Sequence, residues 1–332
     1  MSKNIILADH DVNESWDFLR GLSQGSNLEW ELNTCISNRL HGNKIKIVLR
    51  YLKYFCFSFS NFMKRKQFEN IVAWQQFYGL LIAFFCRAFK VKHAPKIYVM
   101  TFIYKPKNQF YERFIRYIVT SGYITKLIVN SDSEREYYSK LFNVDENLFY
   151  CTRIGVADYA NLYPKSPKVN KYYLSVGRSN RDYQFLVNAW KEEYGDLIII
   201  CDSFKDAVKG GIKILDHCYG NEYFEYLSNC YALIIALEDP NISSGCLSFL
   251  QAMMLSVPVI VTENITVHDY IEDGINGFII PKDRDALREK LIVLENKKEY
   301  SDISHNGRKK YEEQFSELSL GKDIGKMVSS LT

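Results

Sequence analysis

Two arginines three positions apart, in Gly177-Arg178-Ser179-Asn180-Arg181, directly follow an apolar run from Tyr172 to Val176 in this 332-residue chain. If that run is a strand, both guanidiniums stand at the carboxyl edge of a sheet, where open α/β sheets bind their ligands. Planar guanidinium forks make paired, charge-assisted hydrogen bonds to phosphate oxygens, so Arg178 and Arg181 suit a pyrophosphate. The plainer alternative is a pair of surface salt bridges. A second segment, Glu238 to Cys246, runs through Ser243-Ser244-Gly245 into an apolar stretch ending near Met253. Strand, Ser/Gly turn and helix in that order aim backbone N–H groups and a positive helix end at an anion. Ser243, Ser244 and Gly245 are therefore candidate diphosphate contacts, with a simple capping turn as the alternative. Both segments fall on the same edge of one predicted sheet, which makes the pair more informative than either alone.

A third segment, Asp9-His10-Asp11, follows the apolar run Ile5 to Ala8. Activating a hydroxyl nucleophile needs one group to take its proton. Asp9, His10 and Asp11 are the ionisable groups just past that run that could do so, and Asp11 could equally cap the first helix. Glu238 and Asp239 are neighbours on a predicted strand, which points them to opposite faces and argues against a shared metal.

The elements that must position these groups read as alternating β and α. A strand over 4–8 leads to a helix through Trp16, Phe18 and Leu19. Further strands are predicted over 97–102, 127–130 and 148–151, with a helix over 131–142 capped by Ser131 or Ser133. Residues 159–171 hold two of the seven prolines and no acid, and are assigned as a linker. The alternation then restarts: strands over 172–176, 197–201, 212–215, 232–237, 257–262 and 277–281, and helices near 182–193, 221–229, 246–255 and 267–272. The end is helical from about Asp283, with a break expected near Asn306-Gly307. The fold class is α/β: two doubly wound Rossmann-like domains, expected to face each other across a cleft. Neither half contains Gly-x-Gly-x-x-Gly or a Walker loop, so ordinary dinucleotide and P-loop readings have no support.

The stretch from Tyr231 to Phe278, with Ala252-Met253, Val257-Pro258-Val259-Ile260 and Glu272-Asp273-Gly274-Ile275-Asn276-Gly277-Phe278, resembles the nucleotide-sugar half of GT-B glycosyltransferases, nearest in pattern to the family 4-like clan. Leu174 to Arg178, Val129 to Tyr138 and Arg153 to Asp158 match the same template, so the resemblance covers about 125 to 320. It implies an acceptor-binding, membrane-facing domain over 1–158 and a nucleotide-sugar domain over 172–306, with the base for the acceptor hydroxyl supplied by the first domain: Asp11 in preference to Asp9, with His10 beside them. A C-terminal helix over 307–332 would cross back to the first domain. Two carboxylates typical of the family are replaced by Ser243 and Gln251. Gln251 can still hydrogen-bond a ribose. The Ser-Ser-Gly turn is similar to the exopolysaccharide branch that includes the xanthan glucuronosyltransferase, which implies an inverting, metal-independent transfer; no Asp-x-Asp stands at the donor-side position that metal-dependent transferases use. Loss of two negative charges beside the sugar would suit a uronic acid. Family placement puts Tyr219 near the nucleobase, where it could stack or merely pack its loop. The resemblance implies a nucleotide-sugar donor of the UDP-linked type as substrate with no cofactor, and a glycan or glycolipid acceptor. A retaining transferase, or a catalytically silent sugar-nucleotide-binding or scaffold subunit, are the alternatives.

Composition excludes disorder, collagen and coiled coil: 47% hydrophobic, 24% charged, net charge +3. That total conceals an asymmetry, with 24 basic and 14 acidic residues up to position 170 and 18 against 25 after it. Residues 39 to 126 carry 17 Lys and Arg against only Glu69 and Glu112. Within that region, Lys44 to Phe62 and Arg87 to Lys92 interleave cations with aromatics at helical spacing. This suits an anionic membrane surface; plain core and nucleic acid are the rival readings, and no nucleic-acid fold accompanies the pattern. Eight cysteines without Cys-x-x-Cys pairs read as reduced thiols. No signal peptide is read at the N-terminus and no run is long enough to span a bilayer. The expected location is cytoplasmic, peripheral on the inner face of the membrane.

Overall fold

Runs such as Ile5-Ile6-Leu7-Ala8, Ile71-Val72-Ala73 and Ile97-Tyr98-Val99 have no polar face, and all ten residues are buried. Strands of that kind are stable only in a parallel sheet covered by helices on both sides. A computed structural model describes residues 3–37, 44–104, 107–166, 171–205, 210–242 and 244–331. The chain divides into two units, residues 1–154 with 318–332, and residues 155–317.

The first unit contains β1 (Lys3–Ala8), α1 (Asp17–Ser26), β2 (Trp30–Thr34), α2 (Lys44–Met63), β3 (Phe68–Ala73), α3 (Gln76–Ala88), β4 (Lys96–Val99), α4 (Gln109–Val119), β5 (Lys126–Val129), α5 (Asp132–Phe142) and β6 (Phe149–Cys151). Its sheet has the order β2-β1-β3-β4-β5-β6, with every pair parallel. One face packs on α2 to α5 through residues such as Tyr54, Phe62, Ile82, Ile118 and Phe142. Ser131 caps α5 by accepting from the Glu134 amide at 3.2 Å, while the Glu134 carboxylate accepts from the Asn130 amide at 2.9 Å.

The second unit contains β7 (Tyr172–Val176), α6 (Tyr183–Ala189), β8 (Asp196–Ile200), β9 (Ile212–Leu215), α7 (Asn221–Asn229), β10 (Leu233–Ile235), α8 (Cys246–Met254), β11 (Val259–Thr262), β12 (Phe278–Ile280), α9 (Arg284–Glu295) and α10 (Lys297–Lys310). Its parallel sheet has the order β12-β11-β10-β7-β8-β9. The helix expected near 267–272 is only a single 3₁₀ turn, Val267–Asp269, and α6 stops at Ala189.

The last helix, α11 (Glu317–Ser330), falls within the first unit apart from its first residue. Leu320, Ile324 and Val328 cover the second face of that sheet beside Phe18 and Leu22 of α1. Gly21 and Gly25 of α1 meet Gly321 and Gly325 of α11 so closely that a Cβ on Gly21 would lie 2.2 Å from the Leu318 carbonyl oxygen. Tyr150 and Thr152 donate to the two carboxylate oxygens of Asp323 at 2.8 and 2.7 Å, fixing the helix against β6.

Two expected boundaries move. There is no break at Asn306-Gly307: α10 runs through it, and Gly307 faces Asn276 and Met253 within the second unit. The chain turns instead at Ser316, whose extended backbone ends the preceding π turn. The described part of the expected linker, residues 159–166, packs on the second unit: Tyr163 stacks on Phe224 with ring centres 5.1 Å apart and donates to Asn221 at 2.7 Å. Its prolines and missing acids resemble a free linker, but its tyrosines are what hold it.

Candidate functional site

In the first unit, the chain leaves β1 at Ala8 and places Asp9 at the carboxyl edge of the sheet. The Ser37 amide donates to the Asp9 carbonyl at 3.0 Å and holds the backbone there. The Asp9 side chain is 14% exposed. It accepts from Gln75 Nε2 at 3.0 Å and lies 3.6 Å from His10 Nδ1. Burial pushes the Asp9 carboxyl up, but hydrogen bonds from His10 and Gln75 and the charge of His10 outweigh it and leave it below the usual carboxylate range. The His10 ring meets Trp16 edge-on at 5.4 Å and Trp74 at 5.9 Å. Gln75 also donates to the Tyr54 hydroxyl at 3.2 Å, so one amide links the carboxylate to α2.

Asp11 stands apart from this cluster. It is exposed and has no hydrogen bond or ion pair among the described residues. Nor does it cap the first helix, which starts only at Asp17; the preceding turn is made by Asn13, which accepts from the Ser15 amide at 3.0 Å. Gln75 was not singled out from the sequence, because a lone glutamine two residues past a strand carries no motif.

In the second unit, the edge formed by the ends of β7, β8 and β9 holds a cleft of about 210 Å³ lined by Gly177, Arg178, Asp202, Tyr219, Tyr223 and Gln251 among others. Three residues expected around a nucleotide line it: Arg178, Tyr219 and Gln251. Arg178 is exposed, pairs with Asp202 at 2.7 Å and contacts the Tyr219 hydroxyl. Gln251 accepts from the Tyr223 hydroxyl at 2.8 Å, which fixes its amide so that Nε2 is left without a partner among the described residues. Gly245 adopts φ +92°, which carries the chain into α8. The positive N-terminal end of such a helix attracts an anion. Ser244 is tied down, accepting from Arg181 at 2.9 Å and donating to the Ser179 carbonyl at 3.1 Å. Ser243 lies outside the described residues.

Arg181 differs most from expectation. Its Nε donates to the Val176 carbonyl and its Nη1 to the Ser179 carbonyl, each at 2.8 Å, so most of the guanidinium braces the loop instead of facing a ligand. The brace requires glycine at 177: φ there is +122°, and a Cβ would lie 2.7 Å from Arg181 Nε. Tyr219 is tied through its hydroxyl to Asp202, with the Arg178 guanidinium 5.1 Å from its ring centre. The Tyr219 hydroxyl and then the His217 amide hold the Asp202 carboxyl below the usual range. Sequence reasoning missed Asp202, which has no motif and reaches Tyr219 only because β8 and β9 are adjacent. Among the described residues, no group of three His, Cys, Asp or Glu is placed to share a metal ion.

Comparison with known proteins bears on both units. The family model for group 1 glycosyl transferases matches residues 207–310. The capsular polysaccharide biosynthesis glycosyltransferase CapM of Staphylococcus aureus is 35% identical over 83 residues, which is 24% of this chain and 22% of that protein. The match therefore spans about a fifth of the curated relative. Among solved structures, a glycosyltransferase from Rickettsia africae superposes with a TM-score of 0.64 at 14% identity, covering 100% of this chain and 99% of the other. Anabaena Alr3699/HepE in complex with UDP and glucose gives 0.60 at 13% identity, covering 99% and 100%. The sucrose-phosphate synthase of Thermosynechococcus elongatus gives 0.63 at 14%, covering 99% of each. Two parallel six-stranded sheets with flanking helices, matched over essentially the whole chain, make this the GT-B fold.

Proposed function

We propose that this GT-B protein, whose second unit carries the group 1 glycosyl transferase match, is an enzyme that moves a sugar from a UDP-linked donor to a glycan acceptor. The observation that carries the reading is the cleft of the second unit, which brings Arg178 together with the N-terminal part of α8 at Ser248 and with Gln251, whose Nε2 has no partner among the described residues. A nucleoside diphosphate needs that set: a cation and backbone N–H groups for the phosphates, and a hydrogen-bonding amide for ribose hydroxyls. The UDP held by HepE supports the choice of nucleotide.

In this reading Asp9, oriented by Gln75 and His10, takes the proton of the acceptor hydroxyl. Arg178 and the α8 amides stabilise charge as it develops on the departing diphosphate. The transfer proceeds with inversion, and the acceptor is a lipid-linked or polysaccharide glycan at the inner, anionic face of a membrane. Neutral Gln251 and Ser243, in place of two carboxylates, favour a uronic acid donor, because like-charge repulsion at the sugar is absent. Ligand-observed NMR with a panel of UDP-sugars tests the donor, and preference for UDP-glucose over UDP-glucuronate would overturn the uronic assignment. The anomeric configuration of the product, read by NMR, separates inversion from retention. The same two substitutions support a second reading, a silent sugar-nucleotide-binding subunit; it holds if UDP binds and no donor is turned over.

A further inference from the structure

Building on the reading that the acceptor is held at a membrane, we infer that α2 is the element that meets the lipid, lying in the headgroup plane of an anionic leaflet with its outward side chains inserted. This helix is 20 residues long and buries only Tyr54, Ser58, Asn61 and Phe62. Two of those four are polar, the reverse of what a helix packed solely for its core displays. Large apolar side chains stay exposed: Ile45 is 72% exposed, Met63 61%, Val48 57% and Leu52 54%, while Phe55 at 46% and Phe59 at 38% each rest one edge on Phe85 of α3. At about 100° per residue these six fall within about 80° of the helix circumference, opposite Tyr54 and Asn61. Lys46, Lys53 and Lys64 are exposed and follow one border of that stripe. Phe89, 63% exposed and stacked on Phe62 at 5.5 Å, extends it beyond the helix end.

Charge selects the occupant. Residues 39 to 126 carry 17 cations against two acids, so a second copy laid face to face would set lysines against lysines. Anionic headgroups neutralise them instead, each near-surface cation contributing about 1 kcal/mol. Lys46, Arg50 and Lys53 break up the apolar sequence of the helix, and among the described residues no helix is long and apolar enough to cross a membrane. An apolar stripe with a cationic border lies in the interface. The inner face of the same helix presents Tyr54, which shares the Gln75 amide with Asp9. Lipid contact and support of the carboxylate thus belong to one element.

Flotation of the full chain with phosphatidylcholine vesicles, with and without phosphatidylglycerol, tests the assignment. The wild type is expected to float with the anionic vesicles, less so as salt rises. The double variant Leu52→Glu/Phe55→Glu, at exposed positions that leave the fold intact by circular dichroism, should lose affinity by more than about tenfold. Replacing Lys46, Lys53 and Lys64 with Gln should abolish the preference for phosphatidylglycerol. A wild type that does not float, or floats equally after Leu52→Glu/Phe55→Glu, overturns the assignment. So does a wild-type dimer that this pair converts to monomer, which would make a second copy the occupant. UDP titration of the same samples keeps the two readings apart: flotation without UDP binding removes the sugar-nucleotide reading and leaves the surface, whereas UDP binding without flotation does the opposite.

Discussion

Asp9 and Gln75 form the contact on which the chemistry proposed for the first unit depends, and its pH behaviour follows from their geometry. The carboxyl sits below its ordinary range because hydrogen bonds and the His10 charge outweigh burial. Its contribution to stability is therefore present above that range and is lost as pH falls through the folded-state value. Gln75→Leu keeps the burial and removes one lowering bond, so the carboxyl should rise and the acid limb of kcat/KM should move to higher pH. An unmoved limb would exclude Asp9 as the titrating base. The two arginines should separate in the second unit. Arg178→Ala is expected to weaken UDP binding by about 10- to 100-fold, the value of a charged hydrogen-bonding group, with little change in melting temperature. Arg181→Ala should lower both, because it frees the Val176 and Ser179 carbonyls and Ser244 together; calorimetry on both variants checks the contrast.

At the scale of elements, most strands were legible because parallel, doubly covered strands leave uninterrupted apolar runs, as 5–8 and 127–129 do. Donor-edge residues such as Arg178 and Gln251 were legible because order and spacing persist where a turn must follow a strand. What could not be read was pairing between distant segments. Nothing local says that Gly21 and Gly25 would meet Gly321 and Gly325, or that Asp202 would meet Tyr219 across neighbouring strands. The capping role considered for Asp11 assumed a helix that starts earlier than α1 does at Asp17. The glycine crossing is itself testable. Gly21→Ala drives a methyl to 2.2 Å from the Leu318 carbonyl oxygen, forcing the α1 and α11 backbones apart. The expected loss is about 1–3 kcal/mol, seen as a lower midpoint in urea unfolding. An unchanged midpoint would mean that the two helices do not pack at that distance.

For the whole molecule, the near-neutral net charge of +3 is a cancellation between a cationic first half and an acidic second half. The first half concentrates its cations around α2, whose outward face is apolar; the second half, though acidic, sets Arg178 in a cleft that Ser248 and Gln251 of α8 also line. The two halves therefore suit two different anions, a lipid surface and a nucleoside diphosphate. The central claim is turnover of a UDP-sugar, and it is tested most directly by measuring UDP release from UDP-glucuronate and UDP-glucose in the presence of membranes bearing lipid-linked glycans. The expected result is UDP release that falls at least about 100-fold in Asp9→Asn, within the range for loss of a general base, while UDP still binds. UDP binding with no release above background from either donor, or release unchanged in Asp9→Asn, would contradict it.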